Sequence, residues 1–195
     1  MKVITIGREY GAGGHSIGRK VAEKLGLEFY DRDIISEAAK QSGIEPQLVE
    51  KMEEDISRTD DFLRSILPVS YDQKDVIRDI EKSVILSLAQ KGPCVILGRG
   101  ANAVLKEAGI DTLDVFIYAD EVHRALRVGE ILGSSNASEI QKAMKKKDYA
   151  RNNYYAHYTG SNWRDCHNYT LMLDSGILGY DACADMICAA AKSAE

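Results

Sequence analysis

Six residues near the start of this chain, Gly11-Ala12-Gly13-Gly14-His15-Ser16, have the make-up of a phosphate cradle. Glycines let successive backbone N–H groups turn toward one point, and a helix that begins there adds the positive end of its dipole. A β-branched run over 3–6 precedes them, and apolar residues at helical spacing, Ile17, Val21, Ala22 and Leu25, follow. Ser16, just inside the helix, can hold Mg²⁺ through its hydroxyl. The loop has no lysine to reach a terminal phosphate. In the pattern G-x-x-x-x-G-K-[ST], His15 falls on the lysine and Glu9 on the first glycine. In the longer spacing G-x-x-G-x-G-K-G-T, Gly14 falls on the lysine and Arg8 on the first glycine. His15 remains a candidate phosphate donor. Two rival readings stand beside a P-loop. One is a dinucleotide turn, with Ser16 where a third glycine is wanted and Asp31 as the ribose-binding acid. The other is a tight turn that serves only strand–helix packing.

Phosphoryl transfer needs several fixed cations around the moving group. Arg99 lies between Gly98 and Gly100 directly after an apolar run, at the sheet edge where open α/β sheets bind ligands. A forked guanidinium suits a pair of phosphate oxygens. Arg124 and Arg127 are three apart on one helical face. Lys145-Lys146-Lys147 and Arg151 follow a polar turn over 133–138, so the two flanking helices read as the arms of a lid. The missing loop charge is expected from that lid rather than from Arg19 or Lys20, whose helix points them away from its own N-terminus. Asp31 is the candidate acid at the end of the second strand, Asp33 a helix cap, and Asp174 an acceptor-binding acid after the last strand. Tyr149, Tyr154, Tyr155 and Tyr158 are expected to pack the last lid helix onto the body of the domain.

The elements that must position these residues alternate along the chain. Strands are expected over 3–6, 28–30, 94–97, 113–118 and 169–173. Helices are expected over 14–26, 33–42, 46–56, 73–91, 101–108, 120–132, 137–158 and 179–193. The first, third and fourth strands are almost purely apolar, as parallel strands covered on both faces are. The pattern predicts an α/β fold with a five-stranded parallel sheet flanked by helices. One domain over 1–195 is expected, with a core over 1–43, 91–132 and 159–195, a helical insert over 44–90 and a lid over 133–158.

A chain of 195 residues with 45% hydrophobic and 28% charged residues is ordinary for one globular domain. Its net charge of −5 argues against general nucleic-acid or membrane-surface binding. Cys94, Cys166, Cys183 and Cys188 form no C-x-x-C pair and read as thiols of a reducing cytosol. No run is long enough to span a membrane and the chain starts straight into a strand, so a cytoplasmic location is expected. The oligomeric state is left open, with a homodimer among the options.

Together, Ile4-Thr5-Ile6-Gly7-Arg8-Glu9-Tyr10-Gly11-Ala12-Gly13-Gly14 and Leu25-Gly26-Leu27-Glu28-Phe29-Tyr30-Asp31 resemble the cytidylate kinase-like family of P-loop proteins. So do Gly98-Arg99-Gly100, the stretch from Asp148 and Arg151 to Tyr158-Thr159-Gly160, and Leu173-Asp174. The resemblance implies a nucleoside monophosphate kinase fold with a monophosphate-binding insert and a lid. It implies that the glycine loop takes ATP phosphates, that Arg99 and Asp31 face a monophosphate, and that Arg127 and Arg151 contact phosphates; Arg124, from its place beside Arg127, is expected to bind phosphate with them. The expected activity is Mg²⁺-dependent transfer from ATP to CMP or a related small acceptor. A nucleotide-binding regulator without kinase activity is the first alternative, and a dinucleotide-binding oxidoreductase the second.

Overall fold

The computed structural model describes residues 2–31 and 69–193, with side chains of the second segment's opening helix from 78 onward. The expected helices over 33–42 and 46–56, and the Asp33 cap, lie outside those residues. Five strands form one parallel sheet: β1 (Val3–Arg8), β2 (Glu28–Tyr30), β3 (Cys94–Leu97), β4 (Thr112–Tyr118) and β5 (Leu171–Asp174). Their spatial order is β2-β3-β1-β4-β5. The helices are α1 (Gly14–Leu25), α2 (Val69–Gln90), α3 (Ala101–Glu107), α4 (Glu121–Leu132), α5 (Ala137–Thr159), α6 (Ser175–Leu178) and α7 (Tyr180–Ser193).

This order removes the dinucleotide reading. That fold sets the second strand beside the first, so its acid faces the glycine loop across one strand gap. Here β3 lies between β1 and β2. Asp31 is therefore carried one strand further out, beyond the end of β3.

Both sheet faces are dry, which is why the central strands are continuous apolar runs. Ile4, Ile6, Val95, Leu97, Val115 and Ile117 join Ile17, Val21, Cys183 and Ile187 in one core. Val3, Cys94 and Ile96 pack with Val84, Ile85, Val104 and Leu105 on the other side. Each such side chain contributes about 1.5–3 kcal/mol through burial. A third cluster, Phe116, Tyr155 and Trp163, docks the C-terminal half of α5, so the tyrosine-rich stretch packs as expected. Tyr149 is the exposed exception at 52%.

Boundaries differ where side chains override pattern. β1 runs on to Arg8, because Gly7 and Arg8 pair with Phe116 and Ile117. β5 starts at Leu171 rather than 169, because Tyr169 closes the 3₁₀ turn Cys166–Asn168 through its N–H to Cys166 O. The short α6 was not expected; Asp174 starts it by accepting from Gly176 N and Ile177 N. Of the expected insert, the described part is the single helix α2.

Candidate functional site

The loop after β1 has the conformation its glycines permit. Gly11 and Gly13 sit at φ 86° and 75°. Gly13 caps α1 with no side-chain hydrogen bond, so among the described residues no side chain takes the first-turn N–H groups. By contrast α4, α5 and α6 are sealed by Asp120, Asn136 and Asp174. Ser175 Oγ holds the loop from behind, 2.7 Å from Ala12 O. The open start of α1, with Ser16 one turn in, fits a phosphate and its Mg²⁺.

Arg8 crosses this site. A Cβ placed on Gly14 would lie 2.7 Å from Arg8 Cβ and 2.8 Å from its Cγ. One placed on Gly98 would lie 2.1 Å from Arg8 Nη1. The side chain thus runs over Gly14 and ends under the turn that follows β3. Asp31 Oδ1 is 3.7 Å from Arg8 Nη2, and Asp31 Oδ2 is 3.5 Å from His15 Nε2. His15 also meets Phe29 edge-on. Arg151 Nη1 donates to Arg8 O at 3.2 Å. Burial pulls the Arg151 guanidinium below its ordinary pKa, opposed chiefly by Asp148.

Arg99 follows Gly98 and holds the left-handed conformation at φ 57°, which a non-glycine residue adopts only when its surroundings impose it. Its Nε lies 3.5 Å from Glu81 Oε1, and its guanidinium faces the Tyr154 ring at 5.8 Å. The Tyr154 hydroxyl donates to the same buried Glu81. Burial, then the Glu81 charge, pushes the Tyr154 phenol well above its ordinary pKa. These groups line a cavity of ≈ 360 Å³ with Arg78, Asn102 and Tyr158. That volume is at the lower end of small-molecule sites. Arg78 stacks on Tyr158 at 4.3 Å.

Arg124 is not at the loop's open side. It is 7% exposed, and its guanidinium bridges Glu9 Oε2 at 2.8 Å and Asp148 Oδ2 at 2.5 Å. Its Nε donates to Tyr10 O. Arg164 completes the cluster, 2.7 Å from Glu9 Oε1, and Asp148 Oδ1 accepts from Tyr10 N at 2.8 Å. The Arg124 guanidinium, expected to bind phosphate, is here held by two carboxylates in a clamp that ties α4 and α5 to the loop. The reason is Glu9: a carboxylate inside the loop recruits the nearest arginines. The clamp role of Glu9, Asp148 and Arg164 was not foreseen, because its members meet from distant parts of the chain; the acid at a glycine position was the one local sign.

Arg127 lies on the exposed face of α4 and pairs with Glu130 one turn on. Asp174 stands at the sheet edge as expected, with Oδ1 taken by the α6 cap. Lys20 pairs with Asp181 and Arg19 faces Phe29, so neither turns toward the loop. Cys94, Cys183 and Cys188 are buried and unpaired, and Cys166 is exposed. Among the described residues, no helix is long and apolar enough to cross a membrane.

A parallel sheet in this order, with a glycine loop after its central strand opening into a helix, defines a P-loop kinase fold. The chain belongs to the cytidylate kinase-like family, whose sequence model matches residues 3–177. It is similar to an uncharacterized protein from Eubacterium ventriosum ATCC 27560 at 25% identity, TM-score 0.71 and 99% coverage of both chains. It shares its fold with shikimate kinase from Bacteroides thetaiotaomicron at 13% identity and TM-score 0.58, covering 98% of each chain. A gluconokinase from Sinorhizobium meliloti 1021 is similar at 17% identity and TM-score 0.55, over 98% of this chain and 94% of that one. No curated protein matches the sequence.

Proposed function

We propose that this chain transfers the γ-phosphoryl group of ATP to a small phosphate-bearing acceptor, a CMP-like nucleoside monophosphate. The observation that carries the reading is continuity: Gly14 of the loop and Gly98, the residue before the cavity-lining Arg99, pack on the same Arg8 side chain. Donor phosphates on the loop would end next to an acceptor held by Arg99. The N–H groups of Gly11, Ala12, Gly13, Gly14, His15 and Ser16 would cradle the phosphates, and Ser16 would hold Mg²⁺. The ion supplies neutralising charge between the terminal phosphates. Arg99 and Asp174 would orient the acceptor, with Tyr154 and Tyr158 available to its apolar part. An acceptor oxygen attacks the γ-phosphorus, the bond to the β–γ bridging oxygen breaks, and ADP leaves. Asp31 is the candidate to take the acceptor's proton. Arg127 and Arg151 would close from the lid side, while Arg124 positions the loop.

Gly14, where a lysine is usual, favours a second reading: a nucleotide-binding regulator that transfers nothing. One experiment separates them. Purified protein is mixed with Mg·ATP and a panel of nucleoside monophosphates, with shikimate and gluconate added because the structural neighbours are named for them. ADP and phosphorylated product are expected with a pyrimidine monophosphate. If no acceptor turns over while ATP still raises the melting temperature, the binding reading replaces this one.

A further inference from the structure

We propose that Arg8 supplies the cation that the loop's missing lysine would have supplied, so that it binds the terminal phosphates of the nucleotide. The inference rests on the phosphate-donor reading of the loop given above. In the longer loop spacing the chain departs from pattern twice: arginine for the first glycine and glycine for the lysine. These two departures touch. Any side chain on Gly14 would begin 2.7 Å from Arg8 Cβ, so an arginine at 8 and a lysine at 14 exclude each other. Gly14 is not in a left-handed conformation, so backbone strain does not explain the glycine. The side-chain stem at position 8, Arg8 Cβ and Cγ, does.

The charge is also aimed where the lysine's would be. A P-loop lysine leaves the first residues of α1 and reaches the β- and γ-phosphates. The Arg8 side chain starts beneath that point, at the end of β1, and carries its guanidinium toward Gly98 and the cavity lined by Arg99. Asp31 lies 3.7 Å from its Nη2, which orients the fork. The side chain is 20% exposed, enough for its outer nitrogens to meet an anion. Gly98 sits at φ 85°, which favours glycine, and Arg8 Nη1 occupies the space 2.1 Å from where its Cβ would be. Gly14 and Gly98 thus line the path of one arginine. The lid lysines are not needed for this charge.

The test is a swap. Wild type, Arg8→Ala, Gly14→Lys and the double variant R8G/G14K are compared by calorimetric titration with Mg·ATP and with Mg·tripolyphosphate, and by thermal melting. Arg8→Ala is expected to weaken both ligands about 10–100-fold, the size of one charge-assisted contact. Gly14→Lys alone should bind poorly, because Arg8 blocks it. R8G/G14K, which restores the usual pattern, should recover to within about threefold of wild type. A packing role for Arg8 gives no such rescue. Wild-type affinity in Arg8→Ala, or no recovery in a folded double variant, overturns the proposal. So does loss of folding in both, which would make Arg8 a packing residue. If wild type itself binds neither ligand, the donor reading fails instead, and the two failures are told apart.

Discussion

Two clusters of arginine and carboxylate flank this site, and they are built differently. The clamp joins Glu9 and Asp148 to Arg124 and Arg164 with three contacts of 2.5–2.8 Å and a fourth, Arg164 to Asp148, of 3.4 Å, so that each carboxylate is shared between the two guanidiniums. The cleft pair sets Glu81 against Arg99 at 3.5 Å, with a tyrosine hydroxyl on the same acid and a cavity alongside. Glu9, Asp148 and Arg124 of the clamp are buried, and Arg164 closes it from a half-exposed outer side. Glu81 and Arg99 instead meet on a cavity wall. The difference suits the clamp to holding shape and the cleft to the recognition proposed above.

The largest effect is expected in the clamp. Arg124→Ala leaves two buried carboxylates, Glu9 and Asp148, to share the half-exposed Arg164, and should destabilise the protein by about 3 kcal/mol, the lower end of the cost of breaking a buried pair. Urea unfolding measures it directly. Adding Asp148→Asn to that variant should recover part of the loss, because one of the two carboxylates left sharing Arg164 loses its charge. A cost of under about 1 kcal/mol for Arg124→Ala would mean that the clamp is ornamental, and Arg124 would return to the candidate phosphate ligands.

The sequence carried the frame better than the charges. Strands β1, β3 and β4 were readable because both their faces are dry and their residues run apolar without a break. The helices around the polar turn at 133–138 were readable from periodicity and from their own caps. The partition of the arginines was not readable. Arg124, Arg127 and Arg151 look alike in sequence, yet one is buried on Glu9, one is exposed beside Glu130 and one reaches the Arg8 carbonyl. What separates them is a carboxylate more than 100 residues away, which no local spacing encodes. Asp31 was visible as an acid at a strand end, but its neighbours, Arg8 and His15, follow from the strand order. Arg8 was visible only as a mismatch to a motif.

The cleft gives the middle-sized effect. Arg99→Lys keeps a cation beside Glu81 but loses the fork that grips two phosphate oxygens. Stability should change by less than about 1 kcal/mol, while the KM for the phosphate-bearing acceptor rises about 10–100-fold and the KM for ATP holds. If Arg99→Lys unfolds as easily as the clamp variant, the cleft pair is structural too and the comparison collapses.

Alkaline pH probes the same contrast most finely. The cleft contains a buried phenol whose pKa is raised by burial and by Glu81, while the clamp's side chains are carboxylates and guanidiniums. A raised phenol keeps its proton in the folded state after the unfolded chain has lost it. Below about pH 10, the ordinary tyrosine value, the group is protonated in both states and its contribution to stability is constant. Above that value the unfolded chain binds fewer protons, so stability falls as pH rises toward the folded pKa. Tyr155 and Tyr169 are raised as well, chiefly by burial, and add to the slope. Urea midpoints taken between pH 9 and 11 should therefore fall in wild type and fall less steeply in Tyr154→Phe. At pH 8 the same variant should lose about 1 kcal/mol for the hydrogen bond taken from Glu81. Parallel slopes for the two proteins would show that Tyr154 does not sense the cleft's charge.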